Sequence, residues 1–341
     1  MYTPREISNL IRKYRAELGF SLVVTPEIVE THYDEANNAL IVIAADRPDK
    51  SAILGPGGRV LKKMREELGL SWVGVRSKVD LEMKKIRLNI AINSLLKVLE
   101  SASEELRRIA EERILPILRN EQNYPRRELV KLEPAEKSLA TVAFSGGVDS
   151  FATLIILWKA GLNPNAVSID PGTWILPSKS KKEIDLLVSR LGVNHRYVQA
   201  DEPFKDIFNR AMEGRIHPCG ECHRAMESKI LSIARENHTP ILSFGDLLPT
   251  GSYSVYLIQP NVLRFNAGAA LGLSKTDTIA LARQYGHSGP SYAFGCPLLR
   301  EFHKRYRYYR WPSIQRVLRE TRAGVLEPTQ ALRYVKSIVR R

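Results

Sequence analysis

The stretch that decides the fold of this chain is Thr141-Val-Ala-Phe-Ser145-Gly146-Gly147-Val148-Asp149-Ser150, which continues as an apolar run to Trp158. Residues 141–144 favour a strand, the two adjacent glycines favour a tight turn, and the apolar run has the length of a helix. Glycines let backbone N–H groups approach a ligand closely, and a helix N-terminus directs its positive end at the same point. The stretch therefore predicts a phosphate-binding turn.

The side chains of this turn suit a nucleotide. Ser145 and Ser150 can donate hydroxyl hydrogen bonds, and Asp149 can hold Mg²⁺ against phosphate oxygens. The turn is not a G-x-x-x-x-G-K-[ST] loop, because no Lys-Ser/Thr closes it. It resembles the S-G-G-x-D-S loop of the ATP-pyrophosphatase (PP-loop) family. That resemblance implies cleavage of ATP between its α and β phosphates and transfer of AMP to a substrate oxygen. An ordinary serine- and glycine-rich turn is the alternative.

Strand and helix patterns repeat after the turn. Strands are predicted at 166–169 and 195–198, with a helix at 184–191 between them. This repetition indicates an α/β fold with a parallel, doubly wound sheet covered on both faces. Ligands of such sheets bind beyond the carboxyl ends of the strands, which adds two strand ends to the expected ATP site, Asp170 and Gly245-Asp246. We assign residues 139–300 to this domain.

Length and composition limit the class of protein. The 341 residues suffice for two domains, and 44% hydrophobic with 26% charged residues is ordinary for a globular chain. No apolar run is long enough to span a membrane, and the N-terminus lacks the pattern of a secretory signal. Three cysteines do not make a disulfide framework. We expect a cytoplasmic protein without membrane association.

The N-terminal hundred residues predict a smaller α+β domain, residues 1–100. A helix at 5–19 is followed by β-like stretches at 21–31 and 39–44 and a turn at 34–38 between them. Helices on either side of Gly55-Pro-Gly57-Gly58, within 50–68, and a strand at 72–75 complete the order α-β-β-α-α-β. This order, with its G-x-x-G turn, resembles a type II KH domain. A bland turn between two helices is the alternative.

The KH resemblance implies a single-stranded RNA partner. Gly55, Gly57 and Gly58 would let a nucleic-acid backbone approach, while the next helix offers its N-terminus with Arg59 and Lys62. Residues 79–118 read as helical, with a break and an N-cap site near 101–103. Residues 120–138 are polar and contain two prolines, so we assign 101–138 to a helix and a linker.

The cysteines are arranged as a C-x-x-C, Cys219 and Cys222, and a lone Cys296. The residues leave several readings open: a redox dithiol, a zinc site completed by Cys296 with His217 or His223, an iron–sulfur site, or buried bystanders. Residues 139–299 resemble the tRNA-thiolating branch of the PP-loop family. There a C-x-x-C and a later cysteine hold a [4Fe–4S] cluster, which implies that role for these three cysteines.

The stretch Leu273-Ser-Lys275-Thr-Asp resembles a lysine-containing helix start in the same enzymes, and this implies that Lys275 neutralises ATP phosphate. An exposed lysine at a helix start is the alternative. The chain also departs from those enzymes. The 2-thiolating members lack an N-terminal KH domain, and the 4-thiouridine synthetases carry a THUMP domain for RNA that this sequence does not show. The resemblance therefore does not name the modified nucleoside.

The C-terminal segment, residues 301–341, is basic and aromatic. It carries eleven of the Lys and Arg residues against three Glu, so 11 − 3 = +8 of the net charge of +14. Four cations alternate with Tyr and Trp side chains that can stack on bases: Lys304, Arg305, Arg307 and Arg310. Residues 314–339 are predicted to be helical, with exposed arginines at 316, 319 and 322. RNA contact is the functional reading, and a solvated basic helix is the alternative.

Together these features predict an ATP-dependent tRNA sulfurtransferase, with Asp149 and Lys275 in catalytic roles. The expected cofactors are ATP, Mg²⁺ and a [4Fe–4S] cluster, and the expected partners are tRNA, a sulfur donor (sulfide or a sulfur-carrier protein) and a second copy of the chain. Two rivals stay open. One is a PP-loop enzyme that uses amine attack, as in lysidine formation, or persulfide chemistry, with zinc or free cysteines. The other is a non-catalytic RNA-binding protein.

Overall fold

The computed structural model describes residues 2–21, 24–127, 130–173, 175–200, 202–248, 253–289 and 294–340. The chain divides into two compact units. The first comprises Met1–Ile86 and Asn120–Glu128, and the second comprises Arg87–Arg119 and Leu129–Arg341. Within the described ranges, no helix combines the length and the apolar character that a membrane crossing requires.

The first unit has the predicted order α-β-β-α-α-β. Its elements are α1 (Pro4–Glu17), β1 (Ile28–Asp34), β2 (Ala39–Ala44), α2 (Arg47–Leu54), a 3₁₀ turn (Pro56–Gly58), α3 (Arg59–Glu67) and β3 (Trp72–Ser77). The sheet order is β1-β2-β3, with β1 and β2 antiparallel and β2 and β3 parallel. Helices α1 and α3 cover the sheet with buried side chains that include Ile7, Ile11, Tyr14, Val60 and Met64.

The first strand was predicted at the wrong place. It begins at Ile28 rather than at residue 21, and Leu22 and Val23 lie outside the described residues. The register explains the shift, because Asp34 pairs with Ala39 across a turn at 35–38. The strand also lies at the edge of the sheet, where polar residues such as Thr31 and His32 are tolerated. Hydrophobic patterning alone therefore located it too early.

Helix α4 (Lys78–Leu99) follows β3, and the predicted break then occurs at 100–103. The Ser103 hydroxyl accepts a hydrogen bond from the N–H of Leu106 at 3.4 Å, which caps α5 (Glu104–Ile109). One π turn (Ala110–Ile114) leads to α6 (Leu115–Glu121). Beyond α6, Arg126 and Arg127 form ion pairs with Glu30 and Glu121, so this stretch packs as part of the first unit.

The second unit is the predicted α/β domain, with a six-stranded sheet in the order β6-β5-β4-β7-β9-β8. The strands are β4 (Ala140–Ala143), β5 (Asn165–Asp170), β6 (His195–Gln199), β7 (Ile241–Ser243), β8 (Val255–Gln259) and β9 (Val262–Phe265). All neighbouring pairs are parallel except β8 and β9. The antiparallel hairpin at this edge was not predicted.

In the described part of the chain, four helices lie between strands: α7 (Val148–Lys159), α8 (Ser178–Leu191), α9 (Glu202–Met212) and α10 (Pro218–Glu236). Two more follow β9: α11 (Ala267–Ala270) and α12 (Lys275–Gln284). Helix α7 is buried along nearly its whole length, which explains its unbroken apolar run. Strand β4 lies between β5 and β7, so the chain winds in opposite directions from it. Its carboxyl end is therefore the switch point at which open α/β sheets bind ligands.

The C-terminal segment is helical, as predicted, and belongs to the second unit. It consists of α13 (Pro297–Arg305), a 3₁₀ turn (Arg307–Tyr309), α14 (Arg310–Arg322) and α15 (Pro328–Val339). Val325, between the last two helices, is buried in the same hydrophobic core as the sheet. The segment is thus anchored to the α/β domain.

Candidate active site

Residues 145–150 form the turn between β4 and α7, and Ser145 and Gly147 are exposed there. The Ser150 hydroxyl donates to the carbonyl of Gly147 at 3.0 Å and accepts from the N–H of Ser145 at 3.3 Å. The N–H of Gly147 lies 3.4 Å from Ser145 Oγ. These side-chain contacts preform the turn, and those made by the two N–H groups are long enough to be weak.

Two glycines of the site are required by close packing. Gly146 has a left-handed backbone (φ 71°), and a Cβ there would lie 2.5 Å from Ile184. Gly245, just after β7, approaches the first turn of α7, where a Cβ would lie 2.7 Å from the backbone nitrogen of Ser150. The predicted strand end at 245–246 therefore borders the phosphate turn.

Asp149 and Lys275, predicted from separate motifs, form an ion pair. Lys275 Nζ lies 2.6 Å from Asp149 Oδ2, and the buried Thr278 hydroxyl donates to Asp149 Oδ1 at 2.8 Å. The side chain of Lys275 is 13% exposed and that of Asp149 is 28% exposed. Both carboxylate oxygens of Asp149 thus have protein partners, which the sequence did not predict.

Lys275 carries its charge in a largely enclosed setting. Burial opposes that charge, but the Asp149 carboxylate outweighs it, with Tyr334 and Glu320 adding to the effect, so the pKa of Lys275 is raised. Its backbone N–H donates to the carbonyl of Val325 at 2.8 Å, and the preceding residue, Ser274, is the N-cap of α12. The backbone of Lys275 is therefore fixed at the start of α12, and its side chain carries a positive charge.

Helix α14 brings further charges to this region. Arg316 is exposed, as predicted, and pairs with Glu320 at 2.9 Å. Partial desolvation of the guanidinium disfavours its charge, but Glu320, Cys219 and Asp246 outweigh this effect and raise the pKa of Arg316. Arg316 therefore lies within the electrostatic field of both the strand-end and the cysteine residues. The sequence had assigned it only to a solvent-facing surface.

Asp170, at the carboxyl end of β5, is nearly buried and fully engaged. Its carboxylate accepts hydrogen bonds from the N–H of Gly172 at 3.0 Å, from the Lys181 ammonium and from Gln199 Nε2 at 3.4 Å. Burial favours the neutral acid, but Lys181 and the Gly172 N–H reverse this, so the pKa of Asp170 is lowered. It is an ionised group at the same edge of the sheet as the phosphate turn.

Asp246 is held by a buried arginine rather than by a helix end. Arg264, only 3% exposed, places its guanidinium 3.2 Å from Asp246 Oδ2 and also pairs with Glu227. The same guanidinium lies 4.0 Å from the ring centroid of Phe244. The carboxylate at this strand end is thus fixed in position by an ion pair and a stacked ring.

The three cysteines come from two helix N-termini. Cys219 and Cys222 lie in the first turn of α10, and Cys296 is the N-cap residue of α13. None forms a disulfide; Cys296 is exposed and the other two are partly buried. Burial, followed by electrostatic interaction with Cys296, raises the pKa of Cys219 to about 11 and that of Cys222 to about 12. The three thiols therefore lie near enough to interact electrostatically.

The cysteines are the residues expected to hold a metal. Among the described residues, no three Cys, His, Asp or Glu side chains form a group that could hold one metal ion. A four-iron cluster binds each cysteine through a different iron, so its ligands lie further apart than those of a single ion. The three free thiols fit such a cluster in donor type.

The predicted RNA-binding residues of the first unit surround an open turn. Gly55, Gly57 and Gly58 all have left-handed backbones (φ 68°, 66° and 75°). A Cβ at Gly57 or Gly58 would meet no atom within 4 Å, whereas one at Gly55 would clash with Val60. Arg59 and Lys62 are exposed beside the turn. Gly55 therefore serves packing, and the other two leave backbone accessible.

The basic segment divides into an inner and an outer face. The hydroxyls of Tyr306 and Tyr309 donate to the carbonyls of Met212 and Gly214, so these rings attach the segment to the α/β domain. Tyr308 and Trp311 are instead 58% and 66% exposed. Of the four cations predicted to bind RNA, Lys304, Arg305 and Arg307 are exposed.

Arg310 differs from the other predicted RNA-binding cations. Its guanidinium donates to the carbonyls of His303 and Val339, at 3.0 and 3.2 Å. Lys304 and Arg305 instead both pair with Glu301 at the surface. Arg310 therefore ties the ends of α13 and α15 together, and we assign it a packing role beside its predicted contact with RNA.

Four residues of the site were missed by sequence reasoning: Thr278, Lys181, Arg264 and His287. Thr278 follows Lys275 by three positions, which places both on one helix face, and this spacing could have suggested it. Arg264 lies in the hairpin that was not predicted. Lys181 and His287 belong to no motif, and no sequence signal indicates them.

No family model matches the chain. Over 265 residues, which are 78% of this chain and 96% of the relative, it is 28% identical to an uncharacterised protein of Methanocaldococcus jannaschii. Over 106 residues, or 26% of the chain, it is 31% identical to the tRNA-specific 2-thiouridylase MnmA 3 of Phocaeicola vulgatus, of which the match covers 28%. The chain is therefore similar along most of its length to a protein of unassigned activity, and in part to a tRNA-thiolating enzyme.

Proposed function

We propose that this protein is an ATP-dependent tRNA sulfurtransferase of the PP-loop type. The observation that carries the proposal is the ion pair of Lys275 with Asp149 at the S-G-G-V-D-S turn, on the sheet edge where α/β domains bind nucleotides. The partial similarity to a tRNA-specific 2-thiouridylase supports the choice of substrate and reaction.

In this proposal, ATP binding breaks the ion pair between Lys275 and Asp149, and each side chain takes a new partner. The pyrophosphate occupies the turn at 145–150, where the N-terminus of α7 and the Ser145 hydroxyl face it. Lys275 then moves its ammonium from Asp149 to a phosphate oxygen. The released Asp149 carboxylate is free to hold Mg²⁺, whose preference for carboxylate and phosphate oxygens suits this position. Asp170, Gly245 and Asp246 border the nucleotide from the neighbouring strand ends.

The reaction proceeds in two steps. A carbonyl oxygen of a tRNA base attacks the α-phosphorus of ATP, and pyrophosphate leaves. The base is then an adenylated ester in which AMP is a good leaving group. A sulfur nucleophile at the oxidation level of sulfide then attacks the base carbon that bears the adenylated oxygen. AMP departs with that oxygen, and loss of the sulfur proton leaves a thiocarbonyl. No net oxidation or reduction is needed when the donor is sulfide.

The cysteines belong to the sulfur step. When bound, a [4Fe–4S] cluster with three cysteine ligands supplies one iron that can take up sulfide. Cys219, Cys222 and Cys296 would hold it. Because burial raises the pKa of Cys219 and Cys222, a bound cation is needed to keep them as thiolates at neutral pH. The sulfur donor, sulfide or a sulfur-carrier protein, would approach from the exposed Cys296.

The tRNA would be bound by two basic surfaces. One is the KH-like turn of the first unit, with Gly57, Gly58 and the neighbouring cations Arg59 and Lys62. The other is the exposed part of the basic segment, where Tyr308 and Trp311 can stack on unpaired bases. A cytoplasmic location and a homodimer complete the proposal.

The test combines metal analysis with turnover. Anaerobically purified wild type is assayed for iron, sulfide, AMP formation and thiolated tRNA, beside three single Cys→Ser variants. We expect roughly four irons per chain in the wild type, as a [4Fe–4S] cluster requires. Iron and thiolation should be lost together in each variant, while ATP binding survives because the phosphate turn contains no cysteine.

Other outcomes identify the rivals. An iron-free wild type that still thiolates tRNA would refute the cluster and favour a persulfide. Stoichiometric zinc with AMP formation but no thiolation would favour amine attack on the adenylate. Absence of ATP-to-AMP turnover in the presence of tRNA would refute the enzymatic function and leave an RNA-binding protein.

A further inference from the structure

His287 is a nearly buried histidine in contact with the backbone of the phosphate turn. Its Nε2 lies 3.1 Å from the carbonyl oxygen of Gly146, and the residue is only 7% exposed. The ring lies 5.9 Å from that of Phe151 on α7, tilted by 38°. The imidazole therefore touches the turn on one side and the helix that follows it on the other.

The hydrogen bonds determine the tautomer. The N–H of Gly289 donates to His287 Nδ1 at 2.9 Å, so Nδ1 is an acceptor and carries no proton. The proton of the neutral ring is then on Nε2, which donates it to the carbonyl of Gly146. Both ring nitrogens are satisfied by backbone groups, and His287 contacts Gly146 although the two residues are 141 positions apart in sequence.

The segment that carries His287 is itself fixed to α8. The Arg190 guanidinium donates to the carbonyl of Gly286 at 2.6 Å, and the Ser288 hydroxyl donates to Glu183 at 2.7 Å. The same helix supplies Ile184, which packs where a Cβ of Gly146 would lie. Gly146 is therefore held between Ile184 and His287, and both are positioned by α8.

We infer that His287 is a positioning residue for the phosphate turn: it holds the Gly146 carbonyl inward, so that the N–H groups of the turn face the ligand. This inference rests on the proposed binding of ATP at residues 145–150. A peptide group has its C=O and N–H on opposite sides, so fixing the carbonyl of Gly146 also fixes the direction of the N–H of Gly147. Binding of phosphate by a turn depends on such preorganised donors.

Three substitutions separate this role from general packing. His287→Phe keeps the ring and its contact with Phe151 but loses both hydrogen bonds. His287→Gln can place its amide nitrogen near the position of Nε2 and donate to Gly146, whereas His287→Asn reaches only the position of Nδ1. The Gln and Asn variants are thus a matched pair that differ in the contact with the turn.

Two measurements are made on each variant. Amide hydrogen exchange of the peptide covering residues 144–151 reports on the turn without any ligand. Titration with a non-hydrolysable ATP analogue reports on the site. In the Phe and Asn variants we expect exchange of this peptide to rise and affinity for the analogue to fall, each about fivefold, the effect of losing one hydrogen bond of ordinary strength. The Gln variant should recover most of both.

Equal losses in the Gln and Asn variants, or wild-type exchange in the Phe variant, would overturn the inference. If the Phe variant does not fold, the Gln and Asn pair decides alone. If the wild type binds no ATP analogue, but hydrogen exchange still rises in the Phe and Asn variants and recovers in the Gln variant, the proposed nucleotide site is refuted. The positioning role of His287 then stands.

Discussion

The ion pair of Asp149 and Lys275 makes two separate predictions, one for stability and one for activity. Asp149→Asn removes the negative charge but keeps an oxygen that can accept the hydrogen bond of Thr278. Lys275→Met removes the cation at similar volume. The double variant removes both charges, so that the three proteins form a cycle with the wild type.

The magnitude follows from distance and burial. Exposed pairs contribute about 0–1 kcal/mol, and breaking a fully buried pair costs about 3–5 kcal/mol. This pair is 2.6 Å long, with side chains 13% and 28% exposed, so it lies between these limits. We expect each single variant to lose about 2 kcal/mol of unfolding free energy. The double variant should lose about 2 kcal/mol as well, since neither charge is left alone.

The assays are urea unfolding for stability and AMP release in the presence of tRNA for activity. Asp149→Asn should fold and yet form AMP at least about a hundredfold more slowly, a loss of about 2.7 kcal/mol in the transition state. A folded Asp149→Asn protein with normal AMP release would remove this carboxylate from the mechanism. A double variant as unstable as the sum of the single variants would show that the pair does not interact.

Three further predictions concern RNA and pH. The double substitution of Gly57 and Gly58 by Asp should weaken tRNA binding in a filter assay, whereas the matched Asn pair, which tolerates the same backbone without charge, should bind nearly as the wild type does; equal loss in both would indicate a backbone effect. Gln substitution of Lys304, Arg305 and Arg307, three of the exposed cations of the basic segment, should flatten the salt dependence of tRNA binding by about one unit of logarithmic slope per lost contact. An unchanged slope would mean that RNA binds elsewhere. Asp170 has a folded pKa below its ordinary value of 3.8, so its interaction with Lys181 stabilises the protein above about pH 4 and is lost as the pH falls through the folded value. Asp170→Asn should therefore have a lower unfolding free energy than the wild type at neutral pH, and this difference should become smaller as the pH falls. A difference in unfolding free energy that stays constant on acidification would contradict this prediction.

Sequence reasoning succeeded where local chemistry determines structure. The strand, turn and helix around Ser145 follow from apolar runs and adjacent glycines, and the structure has them at β4 and α7. Ser103 was recognised as a helix cap because capping depends on residues within one turn. It failed at β1 and at the hairpin 255–265, where β1 and β8 lie at the edges of their sheets and a regular alternation of buried and exposed residues is not required.

The partners within the site could not be predicted, because they join distant segments. Asp149 and Lys275 are 126 residues apart in sequence, and each was assigned to the site from its own motif without a partner. Tyr306 and Tyr308 are near neighbours of the same type, yet one bonds to Met212 and the other is exposed. Composition identified the segment as basic and aromatic, but only packing determines which face of it can meet RNA.

The packing of the C-terminal helices gives the basic segment a structural role beside its proposed contact with RNA. The Val325 carbonyl accepts the N–H of Lys275, and Gln330 bonds to the neighbouring Thr276 at 3.4 Å, so this segment supports the start of α12. Glu320 on α14 contributes to the charge balance of Lys275 and pairs with Arg316, whose own charge interacts with Cys219 and Asp246. Charges of alternating sign therefore run from Asp149 at the phosphate turn through Lys275 and Glu320 to Arg316 on α14. Because a change in one charge alters the electrostatic energy of its neighbours, we expect the proposed release of Lys275 from Asp149 to affect Glu320 and Arg316, on a helix that sequence alone assigned to a basic tail.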